Sequence, residues 1–155
     1  MTGITIKRQV AAPRERVFAA ATDFANAASF IQAIDKIEML TEGPVGVGTR
    51  FRETRIVFGR PATEEMKVTG FDPPGSYTLT AESHGARYET VFSFAEKSGG
   101  TEVEMRFAVT PLTFMAKVMG FLMRPMMKKM LAMCAKDLED IAKAVESEAL
   151  SSPKA

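Results

Sequence analysis

Three charged side chains, Glu53, Arg55 and Glu64, occur within two neighbouring segments whose alternate residues are otherwise apolar. A charge on an apolar face is costly to bury unless it is paired or bound to a polar group of a ligand. Three roles are therefore open: a structural ion pair between Arg55 and Glu64, an anchor for a ligand's carbonyl, hydroxyl or carboxylate group, and a general acid or base. The last role is disfavoured because no second catalytic group occurs at a defined spacing.

Tyr77 and Tyr88 each combine an apolar ring with one hydroxyl group, which suits either the orientation of a ligand or a packed core position. His84 is the only histidine and falls in the turn-like sequence SHGA, where we expect it to be exposed. Cys134, the only cysteine, has no histidine to activate it, so we expect a small buried apolar residue. Neither a set of metal ligands nor a phosphate-binding glycine loop is present, and we expect no metal and no cofactor.

The pattern of apolar residues predicts strands, two short helices after the first strand, and one long C-terminal helix. The strands are expected near residues 3–10, 34–41, 49–58, 61–71, 76–83, 86–97 and 101–110. The long helix is expected over residues 112–148, with a kink or break at Pro125, because proline lacks the amide proton that a helix interior uses.

The turns between the last five strands predict which residues face each other. A turn at Gly59-Arg60 would place Arg55 opposite Glu64 and Phe51 opposite Val68. The following three turns predict cross-strand pairs that continue the same face: Val68 with Leu79, Tyr77 with Phe92, and Phe92 with Met105. Since all four turns keep the apolar residues together, we predict an antiparallel meander with one covered face.

The covered face is predicted to carry mostly apolar residues, and the opposite face polar ones. The predicted inward residues are Phe51, Met66, Val68, Leu79, Phe92, Met105 and Phe107. The predicted outward residues include Arg52, Lys67, Thr78 and Arg106. The covered face needs a partner, and the long helix is the only long apolar element left to pack on it.

Two halves of the long helix differ in pattern. The second half carries one stripe, formed by Met127, Leu131, Cys134, Leu138, Ile141 and Val145. Residues 114–126 are apolar on nearly all sides and rich in methionine, so they need a second partner: a cavity with its ligand, another protomer or a membrane surface. The basic residues that keep the membrane alternative open are Lys117, Arg124, Lys128 and Lys129. We expect residues 112–125 to be more mobile than residues 127–145.

The composition is that of one globular domain, which we place at residues 1–148, followed by a flexible tail over residues 149–155. A net charge of +1 over 155 residues argues against nucleic-acid binding. A single cysteine and the lack of an apolar leader favour the cytoplasm. The apolar runs are interrupted by charges, so membrane contact would be peripheral.

Five segments carry a family resemblance: VAAPRERVFAAATDFANAASF, EGPVGVGTRFRE, VTGFDPPGSYTL, GGTEVEMRF and KDLEDIAKAVE. In this order they resemble the helix-grip fold of the SRPBCC (START-like) superfamily, closest to its polyketide cyclase/dehydrase-type members. The resemblance implies an α+β fold in which a curved antiparallel sheet wraps around the long C-terminal helix. It also implies a deep cavity for an apolar or amphipathic small molecule.

We therefore expect binding of a hydrophobic or amphipathic small molecule, lipid-, quinone- or polyketide-like, by a carrier or sensor. The alternatives are a cofactor-free cyclase, dehydratase or aromatase acting on a polyketide-like substrate, and an interaction module for a membrane or a partner protein. A homodimer would form through residues 114–126. The expected ligand-binding residues are Glu53, Arg55, Glu64, Met66, Tyr77, Leu79, Tyr88, Thr90, Phe92, Met105, Phe107, Met119, Met123 and Met127.

Overall fold

A computed structural model describes residues 2–57 and 59–151 of the chain. Its strands are β1 (Thr2–Val10), β2 (Ile34–Met39), β3 (Arg50–Val57), β4 (Arg60–Asp72), β5 (Ser76–Ser83), β6 (Ala86–Lys97) and β7 (Gly100–Pro111). Its α-helices are α1 (Arg14–Ala21), α2 (Phe114–Leu122) and α3 (Met127–Ser151), with 3-10 helices at Phe24–Ser29 and Arg124–Met126. The predicted helix-grip architecture is confirmed.

The strands form one antiparallel sheet in the order β1-β7-β6-β5-β4-β3-β2. Three of the predicted strand registers are confirmed: Val68 pairs with Leu79, Tyr77 with Phe92, and Phe92 with Met105. Consequently the predicted inward set lies on one face, with Phe51, Val68, Leu79, Phe92 and Met105 buried, and Met66 and Phe107 half-buried. On the other face Arg52, Lys67 and Arg106 are exposed and Thr78 is half-buried.

The predicted β3–β4 register is wrong by two residues. Val57 pairs with Arg60, so Arg60 is the first residue of β4 and does not belong to the turn. Gly59, directly before it, has a φ of +77°, a left-handed conformation that glycine adopts without steric cost. A shift of two residues leaves every side chain on its predicted face but changes its partner. Glu53 therefore faces Glu64, and Arg55 faces Ala62 rather than Glu64.

Helix α3 packs mainly on β1 and α1 through a buried stripe. The stripe consists of Cys134, Leu138, Ile141, Ala142 and Val145. Leu131, which was predicted in the stripe, is 43% exposed, so the stripe begins one turn later. The helix continues to Ser151, into the stretch that was predicted as a tail, and residues 152–155 lie outside the described part of the chain.

Two carboxylates of α3 hold the N-terminal third of the chain against this helix. The backbone N–H of Gln32 donates to Asp140 Oδ2 at 2.9 Å, and that of Ala11 donates to Glu146 Oε2 at 2.9 Å. Lys136 lies one turn before Asp140 and pairs with it at 2.8 Å. These contacts set the position of α3 along the sheet, and thereby the strand residues that face its first half.

The predicted break at Pro125 is confirmed, because a 3-10 turn there separates α2 from α3. Helix α2 begins after Thr113, whose hydroxyl oxygen accepts a hydrogen bond from the N–H of Ala116 at 3.1 Å. Of the nine residues of α2, only Ala116 is even partly buried. An apolar helix with this exposure is not part of the core.

We expect the amides of α2 to exchange with solvent at least about tenfold faster than those of residues 134–145. Helix α2 buries no side chain, whereas α3 contributes a stripe to the core. Hydrogen exchange followed by mass spectrometry measures both segments in one sample. Equal protection of the two helices in monomeric protein would show that α2 is held as firmly as the core.

Candidate functional site

Arg55 of β3 lies between two carboxylates on the inner face of the sheet. Its Nη1 donates to Asp137 Oδ1 at 3.1 Å, and its Nη2 is 2.7 Å from Asp137 Oδ2. Its Nε donates to Glu53 Oε1. The contact with Asp137 is therefore bidentate, the strongest geometry for this pair. Because Asp137 belongs to α3, this cluster joins the sheet to the helix directly.

Burial and charge act in opposite directions in this cluster. Burial by itself lowers the pKa of Arg55, but the carboxylates of Glu53 and Asp137 outweigh it, and the net pKa is raised. Burial raises the pKa of Asp137 above its ordinary value, and the Arg55 guanidinium offsets this only in part. Two carboxylates thus share one guanidinium, and burial holds Asp137 towards its protonated form.

Sequence reasoning missed Asp137. It treated the segment KDLEDIAKAVE as a marker of the fold and assigned Arg55 to Glu64. One signal was available: Asp137 follows Cys134 by three residues, a spacing that places it on the same helix face as the predicted stripe. An acidic residue on a buried stripe needs a basic partner, and Arg55 is the inward base of the opposing β3.

Tyr77 has the arrangement of a packed core residue. It is buried, its hydroxyl donates to the carbonyl oxygen of Ala21 at 3.4 Å, and its ring stacks on Phe92 with centroids 4.7 Å apart. Burial is the largest cause of its raised pKa, followed by the charges of Glu53 and Asp137. The expected ligand-binding residues that are buried in the same way are Leu79, Thr90, Phe92 and Met105.

Six of the expected ligand-binding residues remain partly accessible, and we call them the open inner face: Glu53, Arg55, Glu64, Met66, Tyr88 and Phe107. The side chains of Glu53 and Arg55 are 15% and 21% exposed. The rings of Tyr88 and Phe107 stack at 6.1 Å. The pKa of Tyr88 is raised by burial and by the charge of Glu64, so its hydroxyl stays neutral at physiological pH. This surface combines apolar walls with a few convergent polar groups.

Two of the three methionines expected at the site lie outside the packed interior. Met119 of α2 is 53% exposed and Met123 is 46% exposed, so neither belongs to the packed interior. The side chain of Met127 lies outside the described part of the chain. His84 is exposed in the β5–β6 turn, as predicted, and Cys134 is buried, which raises the pKa of its thiol to about 11.

Two surface recesses lie elsewhere. One of about 440 Å³ is lined by residues 13–15 and 96–100, and one of about 450 Å³ by residues of α1, the first 3-10 helix and Ala144. Neither is lined by a residue of the open inner face, and neither is the deep cavity that the resemblance implied. We regard the open inner face as the better candidate site, because its polar groups converge within apolar walls. The first recess has no large apolar residue in its lining, which consists of Pro13, Arg14, Glu15, Glu96, Lys97, Ser98, Gly99 and Gly100.

A family model described as "Polyketide cyclase / dehydrase and lipid transport" matches residues 1–146. The chain belongs to this family. No curated protein sequence matches the chain significantly. Among the described residues, no helix is long and apolar enough to cross a membrane.

Solved structures share the fold at low sequence identity. TTHA0849 from Thermus thermophilus is 21% identical, with a TM-score of 0.79 over 97% of this chain and 100% of that one. Ara h 8.0201 is 18% identical, with a TM-score of 0.70 over 97% and 99% of the two chains. The di-domain ARO/CYC StfQ of the steffimycin biosynthetic pathway is 13% identical, with a TM-score of 0.76 over 97% of this chain and 52% of that one. At these identities the similarity shows the fold alone.

Proposed function

We propose that this protein binds a hydrophobic or amphipathic small molecule, lipid-, quinone- or polyketide-like, between the sheet and α3, as a carrier or sensor. The open inner face is the observation that carries the proposal. Its apolar residues Met66, Tyr88 and Phe107 are half-buried, so part of their apolar surface meets water. Covering them with an apolar ligand would remove this surface from water, which is the main source of affinity for such ligands.

The Arg55 cluster supports one polar anchor within this face. The guanidinium is held rigidly by Asp137 and Glu53, so little side-chain entropy is lost when a ligand oxygen approaches it. The nearby carboxylate of Glu64 faces Glu53 across the strands and can accept a hydrogen bond from a ligand hydroxyl. The family description, which includes lipid transport, supports a ligand of this class. The single free cysteine, Cys134, fits the reducing, cytoplasmic setting that we propose for the carrier.

The test measures binding of the fluorescent probe N-phenylnaphthylamine, and native mass spectrometry of freshly purified protein looks for a retained molecule. Met66→Glu is expected to weaken probe binding by about tenfold or more, because it places a charge on the apolar face. Lys67→Glu is the matched control, since the adjacent residue points to the solvent face of the same strand. We expect the control to bind like the wild type. Equal binding by both variants would place the ligand elsewhere and overturn the proposal.

A second function, catalysis on a polyketide-like substrate, is favoured by one observation. The buried carboxyl of Asp137 has a raised pKa, which suits a general acid that protonates a departing hydroxyl group. StfQ is described as a di-domain ARO/CYC, but the similarity to it is one of fold. The test compares wild type and Asp137→Asn for probe binding and for product formation from a synthetic poly-β-ketone thioester. If Asp137→Asn retains probe binding but loses product formation roughly hundredfold, the protein is an enzyme and not merely a carrier.

A further inference from the structure

Helix α2 presents large apolar side chains to solvent at one end of the fold. Phe114, Met115 and Leu122 are 76%, 69% and 64% exposed. The helix is attached to the sheet at its start, where the N–H of Leu112 donates to the carbonyl oxygen of Gly85 at 2.7 Å. A contiguous apolar surface of this kind marks an interaction site in soluble domains.

The charge around α2 identifies the partner. Residues 105–136 contain six basic residues and no acidic one, although the net charge of the whole chain is only +1. The six bases are Arg106, Lys117, Arg124, Lys128, Lys129 and Lys136. Lys117 is exposed on α2, and Lys128 and Lys129 are exposed on the first turn of α3, directly after the 3-10 turn that ends α2. Bases therefore lie both on the apolar helix and shortly after it in the chain.

We propose that α2 docks on an anionic lipid surface, with its apolar side chains in the boundary between headgroups and acyl chains and the neighbouring lysines at the lipid phosphates. A nine-residue helix is about 13 Å long. This length is too short to span a bilayer, but it suits a helix that lies in the plane of the bilayer interface. A second copy of this chain fits less well. A symmetric dimer through α2 would bring two copies of this basic segment together, whereas anionic lipid neutralises it.

The test measures flotation of the full chain with phosphatidylcholine vesicles that contain or lack phosphatidylglycerol. We expect binding only to the anionic vesicles, weakened by added salt. Lys117→Gln and Lys128→Gln should each weaken it roughly fivefold, the factor that corresponds to about 1 kcal/mol per base near such a surface. Met115→Glu should weaken it by about tenfold or more, because it places a charge where lipid binding would bury an apolar side chain.

Met115→Glu is chosen because a carboxylate in the first turn of a helix favours its N-terminus, so the variant should fold. Circular dichroism checks this. Val47→Glu is the matched control, because Val47 is 70% exposed but precedes β3 at the opposite end of the sheet. Vesicle binding by this variant should equal that of the wild type. Absence of binding to anionic vesicles overturns the proposal. The proposal is also overturned if light scattering shows a concentration-dependent dimer that Met115→Glu disrupts, while the same variant still binds anionic vesicles. The outcome is independent of probe binding at Met66.

Discussion

Replacing Arg55 with methionine is expected to lower the free energy of unfolding by about 3–5 kcal/mol at pH 7. The side chain of Arg55 is 21% exposed and that of Asp137 11%, so removal of the guanidinium leaves Asp137 and Glu53 close together in a poorly hydrated site. Breaking a buried ion pair from one side is costly because the remaining charge has no counterion. Urea denaturation of wild type and variant measures the difference.

The deficit of the Arg55→Met variant should shrink as the pH falls. Asp137 already has a pKa above its ordinary value of 3.8, and loss of Arg55 raises it further. Between the pKa of Asp137 in the variant and its lower pKa in the wild type, the native variant binds more protons than the native wild type, so its stability relative to the wild type increases towards lower pH. Denaturation curves at pH 7 and at pH 5 test the sign. The control is Arg52→Met on the same strand as Arg55. It removes an exposed ion pair with Glu38 of β2 and should change little at either pH. A deficit that is independent of pH would mean that packing, and not charge, explains the loss.

Replacing Phe51 with alanine is expected to cost about 3–5 kcal/mol of stability, for a different reason. Phe51 is 1% exposed and stacks on Phe24 with ring centroids 4.5 Å apart. Alanine would leave a cavity between β3 and the first 3-10 helix that the surrounding rings cannot close. Ile56→Ala, on the same strand at a site that is 49% exposed, is the matched control and should change stability by less than about 1 kcal/mol.

Equal losses for Phe51→Ala and Ile56→Ala in urea denaturation would contradict the assigned faces of β3. Phe51, Glu53 and Arg55 alternate along one face of that strand. A reversal of its faces would therefore also remove the Arg55 cluster and the open inner face, and with them the proposed binding site.

Carrier and enzyme differ in what they require of Asp137. As a fixed counterion, Asp137 stays ionised and holds Arg55 for a ligand oxygen. As a general acid, it must be protonated when the substrate is bound, and burial moves its pKa in that direction. An apolar ligand over the open inner face would exclude more water and raise the pKa further. The Asp137→Asn comparison is therefore the most informative single substitution at this site.

The sequence by itself determined the meander and the inner face, because side-chain alternation and turn residues are local properties of the chain. Such local signals predict three of the strand registers, the break at Pro125 and the exposed turn at His84. The β3–β4 register was misassigned because a shift of two residues preserves the alternation on both strands. Apolar pattern alone cannot distinguish the two pairings, and the position of Gly59 within the turn decides between them.

Only the tertiary structure decided which charges meet and which surfaces stay open. Arg55 and Asp137 are 82 residues apart in sequence, and their contact depends on where α3 lies along the sheet. That position is set by distant contacts, such as those of Asp140 with Gln32 and Glu146 with Ala11, which no local pattern encodes. Likewise, the apolar pattern of residues 114–126 required a partner without identifying it. The exposure of α2 follows from the absence of a facing element among the described residues, a property of the assembled fold.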